Sequence, residues 1–404
     1  MIDTPGRSTV DAAQGGPGLA LVEAFALAAA AAVSLGLARF AYALLLPPMR
    51  ADLGWSYLTA GAMNTVNAGG YLVAALVAPA LLRRWDARRV LLAGGALSAV
   101  LLALHGAVRS DAALYVLRSA NGAASALSFV GGGLLAARLA LHAPSRSGLV
   151  LGIYYGGVGL GIVASAALVP VITASNAAGW PAAWAALGAV AALATAATAR
   201  GTRRLAAPPM PQAARAPFAW RHFAFGLAGY AMFGLGYIGY MTFVVTLLRE
   251  QGLAPGLVAA FYMLLGAAVV ASSWLWASLL QRQRGGLALA LLNGLLALAT
   301  LLPVLSTRAP VVFASGALFG AVFLSVVAST TAMVRHNAPP AAWPAGIAAF
   351  TIVFAAGQII GPTLVGLIAD GAGGLARGFV VSAGLLAAGA VLACAQRPVH
   401  QRAP

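Results

Sequence analysis

Apolar runs long enough to cross a membrane recur along the whole chain, and short polar or basic gaps separate them. A transmembrane helix needs about 20 consecutive apolar residues, and it tolerates glycine and proline. The pattern predicts an all-α membrane protein with twelve transmembrane helices. The predicted helices lie at about residues 21–47, 57–82, 90–108, 112–137, 148–173, 182–199, 222–248, 257–280, 286–305, 310–334, 343–369 and 375–395.

Composition supports this prediction and excludes other classes of protein. Of the 404 residues, 61% are hydrophobic and 8% are charged, whereas soluble chains carry about 25% charged residues. The net charge of +16 is spread over the short gaps, so it does not form the solvated basic face of a nucleic-acid-binding protein. The single cysteine, Cys394, excludes an intramolecular disulfide, and the five histidines lack the spacing of a metal site.

The longest gap between apolar runs is rich in proline and arginine, and we interpret it as a cytoplasmic linker between two halves. A shift of 198 residues places Gly54 on Gly252 and Gly122 on Gly320, and the same shift fits four helices of each half. This repeat predicts two pseudo-symmetric six-helix bundles in parallel orientation. The predicted division is a cytoplasmic tail at 1–20, a bundle at 21–199, the linker at 200–221, a bundle at 222–396 and a cytoplasmic tail at 397–404.

Arginine placement predicts the orientation, because cytoplasmic loops carry an excess of basic residues. With the N-terminus in the cytoplasm, 17 of the 24 basic residues lie inside and 5 lie outside. The remaining two, Arg39 and Arg118, fall within predicted helices. We expect a multi-pass protein of the bacterial inner membrane with both termini in the cytoplasm.

Several short segments resemble signatures of the major facilitator superfamily (MFS) of transporters. The loop RRWDARR at 83–89 is similar to its basic motif between helices two and three, although arginine and aspartate replace the motif's aspartate and glycine. Residues 118–122 resemble the Arg-x-x-x-Gly motif of helix four, and residues 357–362 resemble the helix-eleven pattern. The segment at 36–47 resembles the first helix of the poorly characterised bacterial YbfB/YjiJ-like group.

The resemblance implies a secondary transporter whose two bundles rock around a cavity near the middle of the membrane. It also implies that helices one, four, seven and ten line this cavity, that a small molecule is the substrate, and that the protein is a monomer in the lipid bilayer. The chain carries no catalytic signature and no nucleotide-binding loop. We therefore expect neither an enzyme nor a cofactor.

Arg39 and Arg118 are the strongest candidates for substrate contact. A charge at membrane depth is costly and usually faces the bundle interior or a water-filled cavity. Counted from the outer ends of helices one and four, both arginines lie roughly 10 Å below the outer surface. Since a planar guanidinium suits carboxylates and phosphates, the pair predicts a site for a small organic anion. The alternative is that both arginines serve packing, conformational coupling or the satisfaction of backbone carbonyls.

Further candidate substrate-binding residues follow from the repeat and from helical spacing. Tyr237 occupies the repeat position of Arg39. The other candidates are polar residues within predicted helices, namely Asn64, Asn67, Asn121, Tyr240 and Gln358. The alternative is helix packing, in which small and polar side chains join neighbouring helices.

The loop after helix two also holds candidates for a cytoplasmic gate. Asp86 is a candidate to pair with Arg84, Arg88 or Arg89 and so to latch the gate. A solvated run of charges is the alternative.

No acidic residue lies deep in a predicted helix, although proton-driven transporters commonly use one. Three mechanisms stay open: a proton carried on the substrate or on a histidine such as His105, exchange against a counter-solute, and passive transport. An exporter of neutral or cationic drugs is the alternative to an anion transporter, and the missing acids count against cations. A non-transporting membrane sensor is the second alternative.

Overall fold

The computed structural model describes residues 17–142, 146–173, 179–205 and 216–399. Within these ranges it has twelve helices long and apolar enough to span a membrane, which confirms the predicted number. Helices suit lipid because every backbone polar group can bond within its own segment. The spans α1 to α12 are Ala20–Leu53, Tyr57–Arg84, Ala87–His105, Asp111–His142, Ser147–Thr173, Trp180–Gly201, Trp220–Glu250, Pro255–Arg282, Leu287–Leu305, Ala309–Asn337, Pro340–Ala369 and Gly374–Cys394.

The first span is longer than its predicted 21–47, because Pro47 and Pro48 lie inside the helix. Neighbouring helices and local backbone adjustments compensate for the missing N–H groups of prolines in membrane helices. The helix ends at Leu53, and the φ of 65° of the following Gly54 places that residue in the left-handed region, the usual conformation after a helix C-terminus. Gly252, 198 residues later, has a φ of 84° just beyond α7.

The predicted tails and linker fall partly outside the described residues. This applies to residues 1–16 of the first tail, 206–215 of the linker and 400–404 of the last tail. Within the described chain, α6 ends at Gly201 and α7 begins at Trp220. The five-part division therefore stays a prediction.

The predicted repeat reappears in the packing of the two halves. A Cβ on Gly122 of α4 would lie 2.0 Å from the carbonyl oxygen of Asn67 on α2. A Cβ on Gly320 of α10 would lie 2.2 Å from the carbonyl oxygen of Leu265 on α8. Gly320 and Leu265 lie 198 residues after Gly122 and Asn67, so the same close contact between helices occurs at equivalent positions in both halves.

These two glycines predict a matched pair of destabilising substitutions. We expect Gly122→Ala and Gly320→Ala each to lower the free energy of unfolding by about 1–3 kcal/mol, because a methyl group must displace a backbone carbonyl. Gly69→Ala and Gly294→Ala are the controls, since nothing lies within 4 Å of a Cβ at these positions. Alanine favours helix over glycine, so the controls should keep or gain stability. Thermal unfolding in detergent measures the difference, and equal stability of all four variants would contradict the packing argument.

Two helix pairs join the halves along most of their length: α2 packs on α11, and α5 packs on α8. Glycines bring the backbones close together in both pairs. A Cβ on Gly61 would lie 2.2 Å from the carbonyl oxygen of Pro362, and one on Gly159 would lie 2.3 Å from that of Gly266. Small residues at such contacts permit the van der Waals packing that associates helices in lipid.

Polar contacts close the halves on the side that the arginine distribution places outside, which we call the outer side. Asp370, after α11, accepts hydrogen bonds from the backbone N–H groups of Tyr57 (2.8 Å) and Leu58 (2.9 Å), and so caps α2 of the other half. Glu250 accepts a hydrogen bond from the Tyr57 hydroxyl and pairs with Arg50 at 3.4 Å. We name Arg50, Tyr57, Glu250 and Asp370 the outer clamp.

Candidate functional site

Arg39 sits at the end of a π-helical segment, Ala32–Phe40, in the middle of α1. The N–H of Ala41 bonds to the carbonyl of Gly36 at 3.0 Å, five residues back, and the N–H of Leu44 bonds to Ala41 at 3.1 Å. These shifted bonds leave carbonyl groups near Arg39 free for side-chain donors. Such π-helical turns inside α-helices occur frequently at functional sites.

Arg39 is buried, with 4% of its surface exposed, and it contacts the opposite half. Its Nη2 donates to the side-chain oxygen of Gln358 on α11, and the Gln358 amide nitrogen donates to the Tyr237 hydroxyl at 2.6 Å. The guanidinium also lies 5.7 Å from the centre of the Tyr71 ring. Its Nε has no hydrogen-bond partner. Arg39, Gln358 and Tyr237 form a chain between the halves, which we call the Arg39–Gln358–Tyr237 chain.

Each of the three guanidinium nitrogens of Arg118 has a partner within the N-terminal half. Its Nη1 donates to the carbonyl of Ala38 at 3.2 Å, its Nη2 to the side-chain oxygen of Asn64 at 3.2 Å, and its Nε to the carbonyl of Met63 at 3.4 Å. The guanidinium lies 4.5 Å from the centre of the Tyr42 ring. Arg118 therefore cross-links α1, α2 and α4. Of the two arginines, it is Arg39 that has a buried guanidinium nitrogen, Nε, without a partner.

The candidate asparagines surround Arg118 rather than Arg39. Asn67 donates to the carbonyl of Arg118 at 2.9 Å, and Asn121 donates to that of Ala38 at 3.1 Å. Asn64 donates to the Thr242 hydroxyl of α7 at 2.8 Å. These amides thus satisfy groups that the protein itself supplies, and Asn64 links the two halves as well.

Tyr240 contacts α10 of its own half. Its hydroxyl shares a hydrogen bond of 2.7 Å with Ser315, and its ring stacks on Phe319 with centroids 3.9 Å apart. Both partners belong to α10. The structure therefore places Tyr240 in helix packing and Tyr237 in the chain with Arg39.

Stacked aromatic rings line the C-terminal half beside Tyr237. The ring centroids of Phe233 and Tyr237 are 4.6 Å apart, those of Phe233 and Phe354 are 5.3 Å apart, and those of Tyr237 and Phe323 are 6.1 Å apart. The planes within each pair differ by at most 20°. Phe354 is only half-buried. This aromatic stack offers planar apolar surface next to the chain that contains Arg39.

No carboxylate neutralises the two buried arginines in the part of the chain that the structure describes. Glu250 and Asp370 belong to the outer clamp, and Asp52 pairs with Arg109 at the outer surface. Across the described ranges, no group of three or more histidine, cysteine, aspartate or glutamate residues could hold a metal ion. The site is therefore electropositive.

The candidate latch residues of the cytoplasmic loop contact their own half. The Asp86 side chain caps α3 by accepting from the N–H groups of Arg88 (2.7 Å) and Arg89 (3.3 Å). The Arg88 guanidinium donates to the carbonyl of Ala199 at 2.7 Å, near the end of α6. Arg84 is exposed. Their role in a gate stays a prediction.

Sequence reasoning did not single out several residues that join the halves. Tyr262 of α8 donates to the Phe40 carbonyl at 2.8 Å, which the π-helical segment leaves available. Thr242 accepts from Asn64, and Thr65 donates to the Ile359 carbonyl at 2.6 Å. The only sequence signal for these residues is a hydroxyl group within an apolar run.

Solved structures of transporters share this fold. A bacterial homologue of the human lysosomal transporter Spinster, in an inward-facing and occupied conformation, is 14% identical with a TM-score of 0.74, covering 94% of this chain and 97% of that one. A mutant of the nucleoside transporter NupG is 15% identical with a TM-score of 0.72, covering 92% of this chain and 99% of that one. No curated protein matches the sequence.

The family assignment comes from the sequence match. The model of the family described as "Uncharacterised MFS-type transporter YbfB" matches residues 31–394, nearly the whole chain. This match confirms the predicted resemblance, and the twelve spans make the chain a multi-pass membrane protein. The chain therefore belongs to the major facilitator superfamily, within the family of uncharacterised MFS-type transporters described by YbfB.

Proposed function

We propose that the protein carries a small organic anion with a single negative charge across the bacterial inner membrane by alternating access, and that Arg39 binds the anion. The observation that carries the proposal is the state of Arg39. It is buried between the halves, has no carboxylate partner among the described residues, and keeps Nε unpaired. A buried charge without a counter-ion is costly, so a bound anion would stabilise this site strongly.

A single negative charge fits the site better than two. The three nitrogens of Arg118 donate to carbonyl and amide oxygens of the protein, so a substrate would have to break these bonds to reach it. Leaving buried acceptors unpaired costs about 1–3 kcal/mol each. Arg118 keeps its charge, but the guanidinium nitrogen without a partner belongs to Arg39. We therefore propose direct contact between Arg39 and a single carboxylate, which favours monocarboxylates over dicarboxylates and phosphate esters.

The aromatic stack supports an organic body on the anion. Planar or apolar groups gain from contact with aromatic faces, and the half-buried Phe354 lies within 5.6 Å, centroid to centroid, of Tyr237. Tyr237 is in turn tied to Arg39 through Gln358. The guanidinium and the aromatic surface thus belong to one site.

The proposed cycle uses the two halves as rigid bodies. The outer clamp and the contacts of α2 with α11 close the outer side, which is the arrangement that an inward-facing transporter requires. One similar solved structure, the Spinster homologue, is described as inward-facing. We propose that both termini are cytoplasmic and that the outer clamp opens to admit or release the anion on the periplasmic side.

A ligand screen by thermal shift tests the proposal. Purified protein in detergent is heated with acetate, pyruvate, benzoate, succinate, glucose 6-phosphate, adenosine or ethidium. A ligand at 100 times its Kd adds about 2.7 kcal/mol to the stability of the folded state. We expect stabilisation by monocarboxylates, largest for those with an apolar body. Stabilisation by ethidium or adenosine alone would contradict the proposal and favour an exporter of cationic or neutral compounds.

A further inference from the structure

We infer that the side-chain amide of Gln358 is a built-in competitor of the substrate: it occupies Arg39 when no anion is bound and ties the two halves together. The inference rests on the proposed function, because it concerns the same guanidinium. Gln358 then acts as a positioning residue: when the anion displaces it from Arg39, anion binding is coupled to movement of the two halves. This differs from the role of a residue that merely contacts the substrate.

The geometry places an oxygen of the protein where an anion's oxygen would bind. The Gln358 side-chain oxygen accepts from Nη2 of Arg39, and both side chains are at most 5% exposed. A carboxamide oxygen and a carboxylate oxygen are both planar acceptors. The amide therefore mimics half of a carboxylate, and the unpaired Nε of Arg39 marks the donor that a carboxamide oxygen leaves unused.

Tyr237 holds the nitrogen end of the Gln358 amide. The Gln358 nitrogen donates to the Tyr237 hydroxyl at 2.6 Å, which turns the oxygen towards Arg39. This assignment of nitrogen and oxygen follows from Arg39, since a guanidinium cannot accept a hydrogen bond, whereas the Tyr237 hydroxyl can. The competitor is thus preorganised by a residue of its own half.

The chemistry makes the competitor displaceable. The amide offers Arg39 one neutral oxygen, whereas a carboxylate offers two oxygens that share a full negative charge and can form a bidentate pair with the guanidinium. A carboxylate therefore outcompetes the amide at Arg39. Displacement removes the bond between α1 and α11, while Thr65 still bonds to the Ile359 carbonyl one residue further along α11. Anion binding therefore weakens the contact between α1 and α11 without abolishing the contact between the halves.

Two substitutions at Gln358 separate competition from contact. The ligand is the monocarboxylate of the panel that stabilises the wild type most. Gln358→Ala removes the competitor, so we expect this ligand to bind about tenfold more tightly, because Arg39 is then free to bind it in a larger fraction of the protein. Gln358→Glu supplies a permanent carboxylate, and we expect loss of detectable binding. Gln396→Ala is the control, since this buried glutamine bonds within the C-terminal half only.

Distances between spin labels test the link between the halves independently of any ligand. Labels are placed at Ala107 and Ala254, which are exposed on the outer side of opposite halves, after the exposed Cys394 is replaced by serine. We expect Gln358→Ala to populate longer distances without ligand. Gln358→Glu should keep the wild-type distance, and added anion should not change it.

The outcomes decide separately on the inference and on the proposed function. Weaker anion binding by Gln358→Ala would overturn the competitor role and make Gln358 an ordinary contact residue. Label distances in Gln358→Ala equal to those of the wild type would overturn the link between the halves. If the wild type binds no anion of the panel, the proposed function fails. In that case longer distances in Gln358→Ala still support the link, and unchanged distances refute it.

Discussion

Arg39→Gln is expected to abolish binding of monocarboxylates, with affinity reduced about 100-fold or more. Hydrogen bonds to charged groups contribute about 1.5–3 kcal/mol each, and every 1.4 kcal/mol is about a factor of ten in affinity. Nε of Arg39 has no partner, whereas each guanidinium nitrogen of Arg118 donates to a group of the protein. Arg118 would have to give up such bonds to replace Arg39.

The stability of the same variant separates a binding defect from a folding defect. Arg39→Gln removes a buried charge that has no carboxylate partner among the described residues, so the melting temperature without ligand should equal or exceed that of the wild type. Arg308→Gln is the matched control, because Arg308 is exposed on the outer side. Isothermal titration and thermal shift measure the two quantities. Wild-type affinity in Arg39→Gln would show that Arg39 does not bind the anion.

Arg118→Leu is expected to have the opposite profile, a large loss of stability. The substitution removes the donors to the carbonyl of Met63 and to the side chain of Asn64, and one of two donors to the carbonyl of Ala38. Buried acceptors left unpaired cost about 1–3 kcal/mol each, so the free energy of unfolding should fall by about 3 kcal/mol. Thermal unfolding and the yield of monodisperse protein in detergent measure the loss.

A second substitution tests whether Arg118 acts through packing. Arg118→Lys keeps the charge but cannot reach all three acceptors from one ammonium group, so we expect an intermediate stability. Any folded Arg118→Lys protein should retain the anion-induced thermal shift, since Arg39 is unchanged. A variant of wild-type stability that no longer binds the anion would assign Arg118 to the substrate instead.

The twelve helices could be predicted because lipid imposes one requirement on all of them. Each span needs about 20 apolar residues, and this signal is long and independent of the neighbours. The repeat could be predicted as well, since Gly122 and Gly320 must both admit a backbone carbonyl of the neighbouring helix. Where two helices approach closely, the sequence has a small residue at the point of contact.

The different contacts of Arg39 and Arg118, one between the halves and the other within the N-terminal half, could not be predicted from the sequence. Both are single charges within apolar runs, and their difference lies in tertiary contacts. Arg118 finds the carbonyl of Ala38 because α1 turns into a π-helix there. The residues of that segment, AVSLGLARF, continue the apolar pattern of the helix, so the hydrogen-bond shift leaves no periodic signal.

The outer clamp could not be predicted from the sequence for a related reason. Glu250 and Asp370 lie at the ends of spans, where charged residues usually face water. Only the folded chain shows that Asp370 caps α2 of the other half and that Glu250 bonds to Tyr57. A contact between halves depends on the packing of distant helices, which spacing within one helix does not report.

Uptake into proteoliposomes tests the central claim most directly. Vesicles with the wild type, Arg39→Gln or no protein are given the radiolabelled monocarboxylate that stabilises the wild type most, with unlabelled anion inside to drive exchange. The account predicts saturable uptake by the wild type and uptake by Arg39→Gln no greater than by empty vesicles. Equal uptake by the wild type and Arg39→Gln would contradict an anion pathway through Arg39.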